Sequence, residues 1–478
     1  MPSRVFISTE CTKCGGCLNL EEGTNAINCP YCNSSFLVTG YNKVLSYHIP
    51  KHLDERQTVV RPLVHRYLCT LPDDHRIQDI NLFYLPFYRL TGKTFQLETQ
   101  TKPGSSSFDS LNSGQVKIRT RYLERSFLAT HLEGLKLYSL GVRTSVLKLT
   151  LFEKEKLQEK GKVYPVTLGM DKAMEIGLGT NYKDDPDYCV ISKILSIVYS
   201  PLWEINILGI DTRFSIIMDA LGENIIEHKA PYQFLTANFK EANSRDFPTI
   251  TFHTLQCPNC GWDLTAKPEL CVFFCDKCHR AWEVKDEGFQ ESMGAIAHVQ
   301  LQYDSYLLRY YPFWIIKTNG RHGPSKESHQ KDLKLFIPAF KVRDLTAIYR
   351  LATTFTNAQP ELNLMPFSDD LPSSQMEGAV MRWDDAQELA ELILLSVTSH
   401  SHIGITKDKE PAPLEISSRQ LIWLPFCEKG IYLRDALLNV GIQKGKIHSS
   451  RSDPFFKTQL APSSSTKSLN NQCYNAAD

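Results

Sequence analysis

Eight cysteines arranged as four Cys-x-x-Cys pairs are the residues of this chain best placed for chemistry. Cys11-Thr-Lys-Cys14 is followed, after fourteen residues, by Cys29-Pro-Tyr-Cys32, and Cys257-Pro-Asn-Cys260 is followed at the same spacing by Cys275-Asp-Lys-Cys278. Each short turn points two thiolates at one metal, and two facing turns complete a closed tetrahedral site. Zinc is the expected ion, one per set of four. A site closed by four sulfurs leaves no position for water or substrate, so it braces a fold and does not catalyse. Matched sets also argue against a thioredoxin-like redox pair.

Flanking residues agree between the two sets. Gly15 matches Gly261, Leu18 matches Leu264, Phe36 matches Trp282, and Val38 matches Val284. Glycine after the second cysteine permits a tight turn, and the aromatic–Val segments read as strands packing a small core beside the metal. So small a core ties folding to metal binding. Cys17 and Cys271 have no counterpart in the other set. Cys17 could replace Cys11 as a ligand, with Cys14-Gly-Gly-Cys17 as the first turn, but only Cys11 and Cys14 reproduce the spacing of the second set.

The elements that position these turns also come in duplicate. A motif of aromatic, any residue, Pro, Phe or Leu and a bulky residue recurs as Tyr84-Leu-Pro-Phe-Tyr88, Tyr199-Ser-Pro-Leu-Trp203, Tyr310-Tyr-Pro-Phe-Trp314 and Trp423-Leu-Pro-Phe-Cys427. Asp219-Ala-Leu221 and Asp435-Ala-Leu437 follow the second and fourth copies. Each half therefore reads as ribbon, motif, long middle segment and motif. Proline removes a ladder hydrogen bond, which places these strands at sheet edges or bulges. Four equivalent aromatic clusters point to core packing, with an exposed partner-binding surface as the alternative. Tyr84–Leu90, Gly92 and Thr94–Leu97 read as a hairpin, as do Trp203–Ile207, Gly209 and Phe214–Ile217.

Helical periodicity appears at Leu345, Ile348, Tyr349 and Ala352, and at Ala386, Leu389, Ala390, Ile393 and Val397 after a cap at Asp384. Asp171-Lys-Ala173 resembles the start of the latter, and Leu53–Leu68 reads as a further helix around Pro62. The fold class is α+β, a tandem duplication in which each half is a four-cysteine zinc ribbon followed by short antiparallel strands and a few helices. The expected units are ribbon 1 (1–45), lobe 1 (46–245), ribbon 2 (246–290), lobe 2 (291–447) and a disordered tail (448–478). Polar stretches at 101–115, 321–331 and 359–375 read as loops.

Composition narrows the function classes. The chain has 478 residues, 42% hydrophobic and 22% charged, as an ordinary globular protein has. Its 53 Lys and Arg balance 53 Asp and Glu, whereas a protein built to grip phosphate carries a basic excess. His48, His52, His65 and His75 lie among Lys51, Arg56, Arg61 and Arg66, a stretch that reads as a solvated helix face, with phosphate contact as the alternative. No signal-peptide-like or membrane-spanning apolar run is present. The fourteen cysteines in a chain read as cytoplasmic favour metal ligation over disulfides. No nucleotide-binding loop or hydrolase motif occurs. Cys189 and Cys427 read as core thiols, and Asp184-Asp185 and Asp369-Asp370 as turn residues.

The run Cys257-Pro-Asn-Cys-Gly-Trp-Asp-Leu264, the second pair Cys275/Cys278 with Trp282 two residues before Val284, the strand Tyr310–Trp314 and Ile337-Pro-Ala-Phe340 resemble a bacterial group of large double zinc-ribbon proteins with repeated Leu-Pro-Phe-Trp strands. The resemblance spans most of the chain and implies zinc on the eight cysteines. Some of the group are labelled as related to replication-restart helicases, but this chain lacks a helicase ATP-binding motif. The expected function is that of a zinc-binding cytoplasmic adaptor or assembly protein holding a protein partner. A nucleic-acid-associated zinc-ribbon protein is the alternative. No catalytic residue and no cofactor beyond two Zn2+ are assigned.

Overall fold

The computed structural model describes residues 6–40, 43–49, 75–100, 115–132, 148–179, 185–221, 224–240, 248–285, 288–299, 308–318, 333–367, 376–399 and 414–447, with a few isolated positions between them. The expected helix at 53–68, most of the polar loops, the tail, His52, His65 and the basic residues at 51–66 lie outside the described residues. What is described is mixed α+β and dominated by strands.

The first half opens with β1 (Phe6–Glu10), β2 (Cys17–Glu21), β3 (Ala26–Asn28) and β4 (Ser35–Thr39), which frame the first cysteine set. There follow β5 (Leu45–His48), β6 (Arg76–Gln100), β7 (Gln115–Leu128) and β8 (Lys148–Leu151). Next come α1 (Lys154–Gln158), β9 (Lys162–Val163) and α2 (Met170–Leu178). β10 (Tyr188–Leu208), β11 (Arg213–Asp219), β12 (Ile225–Ala230) and α3 (Phe234–Asn238) complete it.

The second half begins with β13 (Thr251–Thr254), β14 (Val272–Phe274), β15 (Ala281–Lys285) and β16 (Gly288–Ser292) around the second cysteine set. It continues with β17 (Gly294–His298), β18 (Leu308–Thr318), β19 (Leu333–Pro338), α4 (Leu345–Ala358) and β20 (Asn363–Met365). It ends with α5 (Trp383–Ser399), β21 (Ile416–Lys429), β22 (Tyr432–Asp435) and β23 (Gly441–Gln443).

The two large sheets repeat one pairing scheme. In the first, β10 lies antiparallel to β6, with Tyr199 opposite Pro86 and Pro201 opposite Tyr84. In the second, β21 lies antiparallel to β18, with Trp423 opposite Pro312 and Pro425 opposite Tyr310. β5 runs parallel to β10, and β17 parallel to β21, at the corresponding register.

The prolines are not at sheet edges. They sit in the central strand pairs, at positions where the outer neighbour has just ended or not yet begun. The carbonyls of Pro86, Pro201, Pro312 and Pro425 point outward and accept the amides of Ala129, Ala220, Ala339 and Ala436 at 2.8, 3.1, 2.8 and 2.9 Å. In a strand the N–H points to the same side as the carbonyl, so the missing proline donor falls on the interrupted side and leaves the central ladder whole. The motif aromatics are buried in all four copies, among them Tyr88, Tyr199, Phe313 and Trp423. They are core, not a partner surface.

Two further expectations are corrected. β6 runs unbroken through Gly92, so Tyr84–Leu97 is one strand, not a hairpin. Gly92 serves close approach: a Cβ there would lie 2.7 Å from Val190 Cγ1. The last helix begins at Trp383, which leaves Asp384 inside its first turn and not at the cap. The preceding helix is capped by the Asp344 side chain, which accepts from Thr346 N at 3.0 Å. The hairpin joining β10 to β11 forms as read, with Leu208 opposite Arg213.

Candidate metal centres

Each cysteine set is gathered by four turns of one design. Cys11 N donates to Gly16 O and Gly15 N to Cys11 O, both at 2.8 Å. Cys29, Cys257 and Cys275 repeat this bonding at 2.8–3.0 Å with Ser34 and Asn33, Trp262 and Gly261, and Arg280 and His279. The residue after each second cysteine adopts a left-handed conformation: Gly15 and Gly261 at φ 71°, Asn33 at 56° and His279 at 54°. Glycine and asparagine tolerate this at little cost.

The sulfurs of Cys11, Cys14, Cys29 and Cys32 lie within 4.8 Å of one another, as do those of Cys257, Cys260, Cys275 and Cys278. Across the turns, Cys11–Cys32 and Cys14–Cys29 are 3.8 and 3.7 Å apart, and Cys257–Cys278 and Cys260–Cys275 are 3.5 and 3.6 Å apart. A tetrahedron with metal–sulfur bonds of about 2.3 Å has sulfur–sulfur edges of about 3.8 Å. The donor sets therefore fit a metal ion. Burial is the same in both sets: the first cysteine of each pair is buried, and the second is exposed or half-buried. Hydrogen bonds from the Ser34 hydroxyl and amide hold the Cys32 thiol down at about 6. Burial pushes the Cys275 thiol up to about 12.

Cys17 and Cys271 stand outside these groups. Cys17 opens β2, opposite Glu10. Cys271 is fully buried, and its Sγ donates to Ala379 O at 3.3 Å. Phe36 and Trp282 occupy β4 and β15, opposite Ile27 and Phe273.

The cores beside the two cysteine sets are joined, a feature that motif spacing did not reveal. β13, in the segment expected to belong to the second ribbon, completes the sheet beside the first cysteine set by pairing with β4, Thr254 opposite Phe36. Ala26 and Leu37 of the first ribbon pack in one apolar cluster with Leu255, Cys257, Leu264 and Cys275 of the second. Asn25 fastens them: its backbone N–H donates to Pro268 O at 2.7 Å and its Nδ2 to Leu270 O at 3.0 Å, while Arg382 donates to its Oδ1 at 3.0 Å. The first cysteine set is continuous with the large sheet, because β1 pairs with β2 and with β8, and Glu22 just after β2 pairs with buried Arg89 at 2.5 Å, with Glu124 at 3.1 Å from it.

A second polar cluster, also unseen in the sequence, joins the halves. Ser192, at φ 54° in a bulge of β10, donates its N–H to Asp385 Oδ1 at 2.6 Å, and its Oγ lies 3.4 Å from Asp385 Oδ2. Lys93 Nζ approaches Ser192 Oγ at 3.4 Å, and Lys193 pairs with Glu388. Burial pushes Lys93 down and Asp385 up from their ordinary values. With its amide and hydroxyl both directed at Asp385, Ser192 belongs to a joint, not a nucleophilic centre.

The other singled-out residues are dispersed. Cys189 is buried in the shared core, where desolvation raises its thiol, and burial also raises Cys427. Asp185 Oδ1 accepts from Asp187 N at 3.1 Å, as a turn residue does. His48 is largely buried, and His75 Nε2 lies 2.8 Å from Thr212 Oγ1. No helix among the described residues is long and apolar enough to cross a membrane. No protein-family model matches the chain, and neither a curated protein nor a solved structure is detectably similar to it.

Proposed function

We propose that this chain is a zinc-binding adaptor or assembly protein of the cytoplasm, built by tandem duplication, whose two zinc ribbons brace two related lobes that hold a protein partner. The observation that carries this reading is the pair of closed four-sulfur groups with matching turns, seated in one joined core. Zinc suits four thiolates at these separations, and a site without an open position serves architecture. The same register of the aromatic–proline strands in both sheets supports the duplication. Ribbons, prolines and aromatics are thus all accounted for by framework, which leaves surfaces as the working parts.

Elemental analysis of the purified chain is the test. Two zincs per chain, with the content lowered by Cys14→Ser and again by Cys260→Ser, is the expected result. Fewer than two, or iron in their place, would refute the zinc scaffold. Capture with the full chain as bait, followed by reconstitution from purified components, then tests the partner.

A nucleic-acid reading draws on one observation. Tyr31, inside one cysteine turn, and Trp262, just after another, are 63% and 53% exposed, and Lys277 Nζ lies 5.3 Å from the Trp262 ring centre. Exposed rings beside cations stack on bases. Quenching of Trp262 by single-stranded oligonucleotide, lost as salt rises, would favour it; no quenching at low salt would dismiss it.

A further inference from the structure

The repeated pairing scheme leaves one strand position filled in the first sheet and open in the second. In the first, β5 is flanked by β8, with His48 opposite Thr150, and the far edge of β8 takes β1 in parallel: Phe6 opposite Lys148, Ile7 opposite Leu149 and Ser8 opposite Thr150. In the second, β17 is flanked by β20, with Ile296 opposite Met365 and Ala297 opposite Leu364. Tyr199 pairs with His48 as Trp423 pairs with Ile296. Met365 therefore holds the place of Thr150, Leu364 that of Leu149, and Asn363 that of Lys148.

Nothing among the described residues pairs with the far edge of β20, which ends its sheet. The strand expected there is β13, because it precedes the second cysteine set as β1 precedes the first. β13 is instead committed to β4. The consequence is visible in burial: Leu149 is fully buried, whereas Leu364 is 41% and Met365 43% exposed. An open strand edge carrying two exposed apolar side chains is a template for strand addition.

We propose that the open edge of β20 receives an extended segment of a protein partner, running parallel to β20 and carrying an apolar residue at the position that faces Leu364. The segment resembles β1 in chemistry: a β-branched residue in the place of Ile7, with polar neighbours that keep it soluble. β1 and β13 are already engaged within the chain, so neither supplies the strand. The proposal rests on the reading of the chain as a duplicated, partner-binding scaffold, and it names the surface used.

The test takes the full chain and, as probe, a fluorescein-labelled peptide of residues 3–10 (SRVFISTE), followed by anisotropy. Saturable binding is expected, weakened roughly tenfold or more by Leu364→Asp, because the variant places a charge at the buried contact. Two further peptides, N-methylated at alternate residues in the two possible registers, test the ladder itself on the unaltered chain. One of the two loses binding if main-chain bonds to β20 form. Absence of saturable binding, equal binding by Leu364→Asp, or undiminished binding of both methylated peptides would overturn the proposal. Should Leu364→Asp fail to fold, judged by its melting curve, the methylated peptides decide alone. Two zincs per chain without peptide binding removes only the docking edge, whereas absent zinc removes the scaffold reading beneath it.

Discussion

If the cysteine sets hold metal as proposed, Leu37→Ala should loosen that of the second set even though Leu37 lies in β4, beside the first. Leu37 is in β4, fully buried, and shares its apolar cluster with Leu264, Phe273 and Trp282 and with the ligands Cys257 and Cys275. Truncating a buried leucine costs about 2–5 kcal/mol, through lost transfer energy and the cavity left behind. The cavity opens on the face of β4 opposite Phe36, against Cys257 and Cys275, so the cost falls on the second set. Each 1.4 kcal/mol or so of local destabilisation is a factor of ten, so release from the second set should quicken by roughly tenfold or more. Leu18→Ala is the matched control, because Leu18 packs with Cys11, Cys29 and Phe36 and belongs to the first ribbon alone. The assay is metal transfer to a chromophoric chelator in excess, in which each site reports as one equivalent. Leu18→Ala should hasten the first set's equivalent and Leu37→Ala the second's, the two told apart in Cys14→Ser and Cys260→Ser backgrounds. If Leu37→Ala left release from the second set unchanged, the inference of a joined core would fail.

Three other outcomes are expected. Cys17→Ser and Cys271→Ser should each keep full metal content by elemental analysis, since both thiols stand outside the four-sulfur groups; loss of an equivalent would reassign a ligand. Burial pushes His48 down from 6.5 to about 4. The unfolded chain then binds the extra proton between those values, and stability falls by up to about 3 kcal/mol as pH drops from 6.5 to 4. Urea titrations across that range should show the slope, and His48→Gln should flatten it. Asp385→Ala removes the acceptor of the Ser192 amide and should cost about 1–3 kcal/mol in urea unfolding. Asp385→Asn should recover part of that, because its amide oxygen still accepts; no difference between the two would place the effect elsewhere.

What the sequence by itself determined is local. A Cys-x-x-Cys turn needs only a few adjacent residues and one left-handed position, so the eight candidate ligands, Gly15 and Gly261 were legible from spacing. Strands at Phe36 and Trp282, the helix around Leu345–Ala352 and the recurring aromatic–proline motif were legible for the same reason, being written in period and type. What only the tertiary structure decided is which strand lies beside which. The prolines could be read as edge residues until their carbonyls met four alanines and showed the missing donor falling where the outer ladder is interrupted. β13 carries no mark that sends it to β4 across more than 200 residues; that choice is made by competition for buried surface between segments far apart in the chain. Lys93, Ser192 and Asp385, like Asn25 and Leu270, come together for the same reason. Pairwise burial across long loops has no period to read, and so the joined ribbon core and the open edge of β20 exist only in the folded chain.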